Sequence, residues 1–170
     1  VLKIISFFRL SVKNKNLFVL KSLTKLFGLA GLRIGYLIGQ QAAISKIGRL
    51  QYPWNVNLLA QRAAEEAIKN KDFVKKTQDF INKEREYLSD NLNRINGLKF
   101  HPSEANFFLC ELESPKIKNA KELSARLIKK GILIRNCYNF RGLSNKFFRI
   151  AIRRRKENNK LISSIKDILK

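Results

Sequence analysis

Ser22, Thr24 and Lys25 put two hydroxyls and a primary amine within four residues, and Arg33 adds a guanidinium eight positions after the lysine. An amine in such company can add to a carbonyl, while hydroxyls and a planar guanidinium donate hydrogen bonds to an oxyanion such as a phosphate. A bare Ser-x-Thr-Lys run fits any loop. Its meaning comes from the sequel, Leu29-Ala30-Gly31-Leu32-Arg33-Ile34-Gly35-Tyr36, where glycines permit a tight connection. The other reactive side chains offer less. His101 precedes Pro102 outside any metal-ligand spacing, so it reads as a structural or exposed histidine and no metal site is expected. Cys110 and Cys137 form neither a CxxC motif nor a disulfide framework, and Cys137 has no base or second ligand beside it, so it reads as packing.

These side chains need elements to hold them. Residues 17–20 are an apolar run that predicts a buried strand, running out into the polar stretch 21–25, and residues 34–38 predict a second buried strand. Helical spacing follows over 42–50 and 58–69, separated by Tyr52-Pro53-Trp54-Asn55-Val56-Asn57, a loop by its Pro and Asn content. The apolar positions Phe73, Val74, Phe80, Ile81, Leu88, Leu92 and Ile95 predict one long helix, ended by Asn96-Gly97. Beyond it come strands at 98–100, 106–112, 132–135 and 147–152, and helices at 120–130 and 157–169. Alternating strands and helices indicate an α/β or α+β architecture. The expected division is 1–72 and 97–170 as two lobes, with 73–96 as the helix connecting them.

Composition bounds the function classes. Lys and Arg number 35 against 13 Asp and Glu, a net charge of +22, and 45% of residues are apolar. The apolar share suffices for a core, and the charge would attract any anion without naming one. The densest basic run, Arg153-Arg154-Arg155-Lys156, has no interleaved aromatics or Gly-rich loop, so specific nucleic-acid binding is not expected. No apolar run approaches the roughly 20 residues of a bilayer span, so no membrane span is expected. The opening stretch lacks a signal peptide's order, and the cysteine usage points to a reducing, cytoplasmic compartment. The chain has no methionine and begins at Val1, which predicts a portion of a longer product.

The run from Ser22 to Tyr36 resembles the Schiff-base lysine segment of fold-type I pyridoxal-phosphate enzymes. Pro102-Ser103-x-Ala105-Asn106-Phe107, Gly131-Ile132-Leu133-Ile134-Arg135, Phe148-Arg149-Ile150-Ala151 and Glu157-Asn158 resemble the C-terminal half of the histidinol-phosphate aminotransferase group. Within that group, Pro53-Trp54-Asn55-Val56-Asn57-x-x-Ala60-Gln61, Ile134-Arg135-Asn136-Cys137-x-Asn139-Phe140-x-Gly142-Leu143 and Arg149-Ile150-Ala151-Ile152-Arg153 are similar to the threonine-phosphate decarboxylases of cobalamin biosynthesis. Histidinol-phosphate aminotransferases more often continue after the position of Arg149 with a Thr/Ser-Val-Gly pattern, absent here.

The resemblance implies an α/β fold made of the end of a large cofactor-binding domain and a small C-terminal domain. It implies pyridoxal 5'-phosphate as cofactor, Lys25 as the catalytic lysine that carries it, and Ser22 and Arg33 as phosphate ligands, with Thr24 a further contact. Arg149 would bind a substrate α-carboxylate, Arg135 its distal phosphate, and Asn106 would line the site. The substrate would be a phosphorylated amino acid, L-threonine O-3-phosphate, decarboxylated to an aminopropanol phosphate, with histidinol-phosphate aminotransferase as the runner-up activity. Full-length relatives would be homodimers, with Trp54 and Asn55 reaching the partner's site, although Trp54 fits a core position equally. Relatives are about twice as long, and their earlier half supplies a Gly-rich loop, a stacking aromatic, an Asn and an Asp. Residues 1–9 contain no acid. The chain therefore reads as a C-terminal part that exposes apolar surface and associates. A different class of function, an inactive truncated relative or a basic anion-binding module, stands beside the enzyme.

Overall fold

The computed structural model describes residues 7–170, in two compact units that divide after Lys75. The expectations resting on the opening residues, its acid-free character among them, lie in part outside the described residues.

In the first unit α1 (Phe7–Ser11) precedes an antiparallel hairpin of β1 (Val19–Ser22) and β2 (Gly35–Ile38), in the register Val19↔Ile38 to Ser22↔Gly35. Helices α2 (Gln41–Arg49) and α3 (Leu58–Lys69) follow. Each starts where a side chain satisfies a free helical N–H. The Gln40 carboxamide accepts from Ala43 N at 3.2 Å, and the Asn57 carboxamide from Ala60 N at 2.8 Å. Ala60 and Ala64, one turn apart, complete a small core with Leu23 and Ile34, and Phe27, Leu29 and Val56 pack against it.

Two expectations shift here. The strand expected over 17–20 begins at Val19, because Leu17 N is spent in a turn onto Asn14 O at 3.2 Å. It is not buried either: Leu20 is 76% exposed, since β1 has only β2 as a partner among the described residues. The second strand, expected over 34–38, begins at Gly35 and is half-buried rather than buried.

Asn70 separates α3 from α4 (Lys71–Leu92), its carboxamide accepting from Phe73 N at 3.0 Å. Against the expected 73–96, α4 therefore starts two residues early and ends four residues early. The second unit takes up the chain at Lys76. Its sheet is wholly antiparallel, in the order β3 (Leu98–His101), β4 (Phe107–Leu112), β6 (Phe147–Ala151), β5 (Arg135–Asn136). Helices α5 (Ala120–Ile128) and α6 (Arg155–Leu169) complete it.

Period-two patterning decides the faces. Phe108, Cys110 and Leu112 of β4, with Phe148 and Ile150 of β6, point into a core shared with Leu88 and Leu92 of α4, Leu123 and Leu127 of α5, and Leu161 and Ile165 of α6. The alternate residues Phe107, Leu109, Phe147 and Arg149 fall on the opposite face. Between α4 and β3, Gly97 adopts φ +81°, and its carbonyl accepts from Glu113 N at 2.9 Å and Ser114 N at 3.1 Å. A Cβ there would lie 2.6 Å from Ser114 Cβ, so only glycine fits. The strand expected over 132–135 is replaced by the two-residue β5, which shares only Arg135 with that range, because this edge strand pairs with β6 only at Arg135↔Arg149 and Asn136↔Phe148.

Candidate functional site

The first unit holds the lysine segment in the loop that joins the two strands of the hairpin, next to the Ser22↔Gly35 pair. Leu23 is buried and its N–H reaches Ile34 O at 3.3 Å, so the residues on either side of it point outward. The Ser22 and Thr24 hydroxyls meet at 2.8 Å, and Thr24 N donates to Ser22 Oγ at 3.3 Å. Lys25 follows in an exposed turn closed by Gly28 N to Lys25 O at 3.3 Å. Arg33 sits in the left-handed region, φ 52° and ψ 44°, after a single 3₁₀ turn at Ala30–Leu32. Its guanidinium donates to Ala30 O at 3.2 Å. The structure thus brings the two hydroxyls together, while the guanidinium is bonded to its own loop. Gly35 lies opposite Ser22, and a Cβ there would come within 2.5 Å of Lys21 O. The hairpin can close on the hydroxyl-bearing strand end only with glycine at that position.

The donor set fits a phosphorylated aldehyde. Two adjacent hydroxyls, with a guanidinium in the same loop, suit a phosphate dianion, and the exposed primary amine of the residue directly after Thr24 suits an aldehyde.

The second unit carries the other candidates on the outward face of its sheet. Arg135 and Arg149 are directly opposed across β5 and β6, which places both guanidinium stems on one face. Neither has a carboxylate within ion-pair distance among the described residues. Aromatic rings hold them instead. Arg149 Cζ is 4.3 Å from the Phe107 ring centroid and 6.0 Å from that of Phe140, and Arg135 Cζ is also 6.0 Å from Phe140. Arg135 further donates to Asn139 Oδ1 at 3.4 Å. Arg149 Nε is buried with no acceptor. A depression of about 490 Å³ opens there, lined by Phe107, Arg135, Asn136, Tyr138 and Arg149 among others. Two unneutralised guanidinium groups in one concavity make a receptor for an anion, or for two anionic groups on one molecule.

Asn106 stands exposed just ahead of β4, and its carbonyl accepts from Ile152 N at 2.9 Å. Sequence reasoning gave the phenylalanines no role, yet Phe107 and Phe140 are the surfaces on which the arginines lie. The period-two placement of Phe107 and Arg149 was the signal for one of them; Phe140 lies in a loop with no periodicity to read.

The remaining candidates resolve simply. Cys110 and Cys137 are both buried. Burial pushes the Cys110 thiol up to about 12 and raises Cys137 too, against the pull of Arg149 and Arg135. His101 is half-buried and stacks on Phe147 with centroids 6.0 Å apart. Trp54 is 95% exposed, so it belongs to no core of its unit, and it adopts φ 57°. In the basic run, Arg153 pairs with Glu157 at 2.6 Å and Arg155 with Glu84 at 3.0 Å. No group of metal-ligating side chains occurs among the described residues, and none of their helices is long and apolar enough to cross a membrane.

Comparison with known proteins adds the family. Residues 4–165 match the model of aminotransferase class I and II. A histidinol-phosphate aminotransferase of Caldanaerobacter subterraneus is 40% identical over 155 residues, 91% of this chain and 42% of the relative. A threonine-phosphate decarboxylase of Salmonella typhimurium is 34% identical over 157 residues, 92% of this chain and again 42% of the relative. The crystal structure of the histidinol-phosphate aminotransferase from Clostridium acetobutylicum superposes with a TM-score of 0.82 at 35% identity, covering 89% of this chain and 45% of that one. The chain therefore spans less than half the length of the curated relatives it matches.

Proposed function

The chain belongs to the aminotransferase class I and II family, and on that premise we propose that it carries the lysine segment and the substrate-anion residues of a pyridoxal-phosphate-dependent L-threonine O-3-phosphate decarboxylase. The observation that carries this reading is the cross-strand pair Arg135 and Arg149, held on phenylalanine rings and without a carboxylate partner among the described residues. L-Threonine O-3-phosphate presents two anionic groups, an α-carboxylate and a phosphate. A planar fork of donors suits each of them.

Roles follow unit by unit. In the first, Lys25 Nζ would hold the cofactor through its aldehyde, and Ser22, Thr24 and Arg33 would donate to its phosphate. When bound, pyridoxal phosphate supplies an electron sink conjugated to the substrate's α-carbon. In the second unit, Arg149 takes the α-carboxylate, Arg135 the distal phosphate, and Asn106 lines the same end of the sheet. Arg149 bears on the outcome, because the residue that takes the α-carboxylate would decide which bond of the α-carbon is presented for cleavage. A cytoplasmic homodimer belongs to this reading.

A second reading rests on the 40% identity to a histidinol-phosphate aminotransferase. Histidinol phosphate carries a single anionic group, but its amino-group acceptor, a dicarboxylic oxo acid, carries two. The assay therefore separates the readings where the arginine pair alone does not. The protein, supplied with pyridoxal phosphate, is given L-threonine O-3-phosphate and, separately, L-histidinol phosphate with 2-oxoglutarate. Release of CO2 from the first supports the decarboxylase. Transfer of the amino group to 2-oxoglutarate overturns it in favour of the aminotransferase.

A further inference from the structure

Arg149 has its guanidinium fixed by aromatic rings rather than by an acid, so whatever fixes the rings fixes the arginine. Phe107 supplies the nearer ring, 4.3 Å from Cζ. It is the first residue of β4, and the turn before it, residues 103–106, decides where it enters the sheet. That turn is tied on two sides. Ile152 N donates to Asn106 O at 2.9 Å from the end of β6. From α4, the Arg85 guanidinium donates to Glu104 O at 2.9 Å and to Ala105 O at 3.4 Å.

Arg85 is built for this rather than for solvent. Its side chain is 17% exposed, and its Glu104 carboxylate partner stands 3.7 Å away on a fully exposed side chain, which makes that ion pair weak. Its second anchor is Asn82 Oδ1, 2.8 Å away on the preceding turn of the same helix. Its Nε is buried without an acceptor. A guanidinium that leaves one buried donor unused while spending a terminal nitrogen on two successive backbone carbonyls is placed by those carbonyls. The residue before it, Glu84, anchors the same stretch of α4 to α6, receiving the Arg155 fork at 3.0–3.1 Å and Asn158 Nδ2 at 2.9 Å. Asn158 in turn grips the Arg153 backbone, donating to its carbonyl at 2.8 Å and accepting from its N–H at 3.0 Å.

We infer that Arg85 is a positioning residue for Arg149, acting through the 103–106 turn and the Phe107 ring. The structural part of this rests on the contacts above; its bearing on substrate rests on the proposed function. No residue of the lysine segment takes part.

The test uses the full chain and two readouts. The first is the nitrogen-15 resonance of Arg149 Nε–H, which burial should keep visible; it is recorded in the wild type, in Arg85→Gln and in Arg85→Lys, with the Ala105, Asn106 and Phe107 amides beside it. The second is the dissociation constant of L-threonine O-3-phosphate, with melting followed in parallel. In Arg85→Gln the Arg149 Nε–H signal is expected to move or broaden, and the affinity to fall about tenfold at temperatures well below the midpoint. Arg85→Lys, which keeps one donor to a carbonyl, is expected to fall between. The inference is overturned if the Ala105 and Asn106 amides respond while the Arg149 signal and the affinity do not, since Arg85 would then serve local structure only. Should the wild type fail to bind the ligand, the proposed function fails, and the Arg149 signal still decides the positioning role. Should Arg85→Gln not fold, Arg85→Lys carries the same comparison.

Discussion

At Gly35 the absence of a side chain allows two strands to meet beside the candidate cofactor hydroxyls. A Cβ at that position would stand 2.5 Å from the Lys21 carbonyl oxygen, a backbone atom that cannot swing aside. Gly35→Ala is expected to push β1 from β2 and to cost about 1–3 kcal/mol, the usual scale for overpacking. Amide exchange across 19–22 and 35–38 measures it, and exchange as slow as in the wild type would contradict the geometry. Such a residue was legible as part of a glycine-punctuated motif, but its reason was not. Sequence shows that Gly35 follows Arg33 by two positions; only the register Ser22↔Gly35 shows which backbone it must admit. Lys25, Ser22, Thr24, Arg33, Arg135 and Arg149 are legible in the sequence through the resemblance of the motifs around them to a known family. Arg85 is not, since an arginine on a helix among many cations carries no mark of the carbonyls it will meet.

Among elements, the join of α4 to α6 is where pH enters. Glu84 is buried and held below the ordinary carboxylate range, first by hydrogen bonds from the Arg155 guanidinium and then by Asn158, against a burial penalty that acts the other way. A carboxylate depressed by folding lends stability that is complete above its unfolded pKa and is lost as pH falls through its folded value. The second unit should therefore lose melting temperature as the solution is acidified through and below the carboxylate range. Glu84→Gln should melt lower at neutral pH, by about 1.5–3 kcal/mol for a hydrogen-bonded charge, with a flatter acid limb that converges on the wild type. Melting curves followed by circular dichroism check this, and parallel curves for the two proteins would contradict it. The apolar period marks α2 to α6 to within four residues of their ends, while α1 is not legible in the sequence. The shifts have local causes: an Asn70 cap opens α4 early, and a turn on Asn14 delays β1. Strand burial was the poorer reading, because an apolar run states that cover is wanted without stating how much the neighbours supply.

Across the whole molecule the two units are unequally built. The second joins a four-stranded sheet and three helices through one continuous core that includes the fully buried Phe108, Phe148, Leu88 and Leu123. The first centres on Leu23, Ile34, Ala60 and Ala64, while Leu50, Tyr52, Trp54, Leu58 and Leu59 stand well exposed along one stretch of chain. Exposed apolar surface of that extent favours association, and a thin core gives little protection. Amides of 98–112 and 147–169 are expected to exchange at least a hundredfold more slowly than those of 19–38, with association that weakens when Trp54 and Leu58 are made polar. Equal protection in both units would refute this. The net charge of +22 adds attraction to any polyanion that fades with salt.

If the lysine segment is a pyridoxal-phosphate cradle, as proposed, Lys25 itself reports it. The purified chain is incubated with pyridoxal phosphate and reduced with borohydride, and the modified lysines are located by peptide mass mapping. Preferential labelling of Lys25 over the chain's many other lysines is expected, diminished in Ser22→Ala and Arg33→Gln. Labelling scattered over the exposed lysines, indifferent to Ser22 and Arg33, would contradict it.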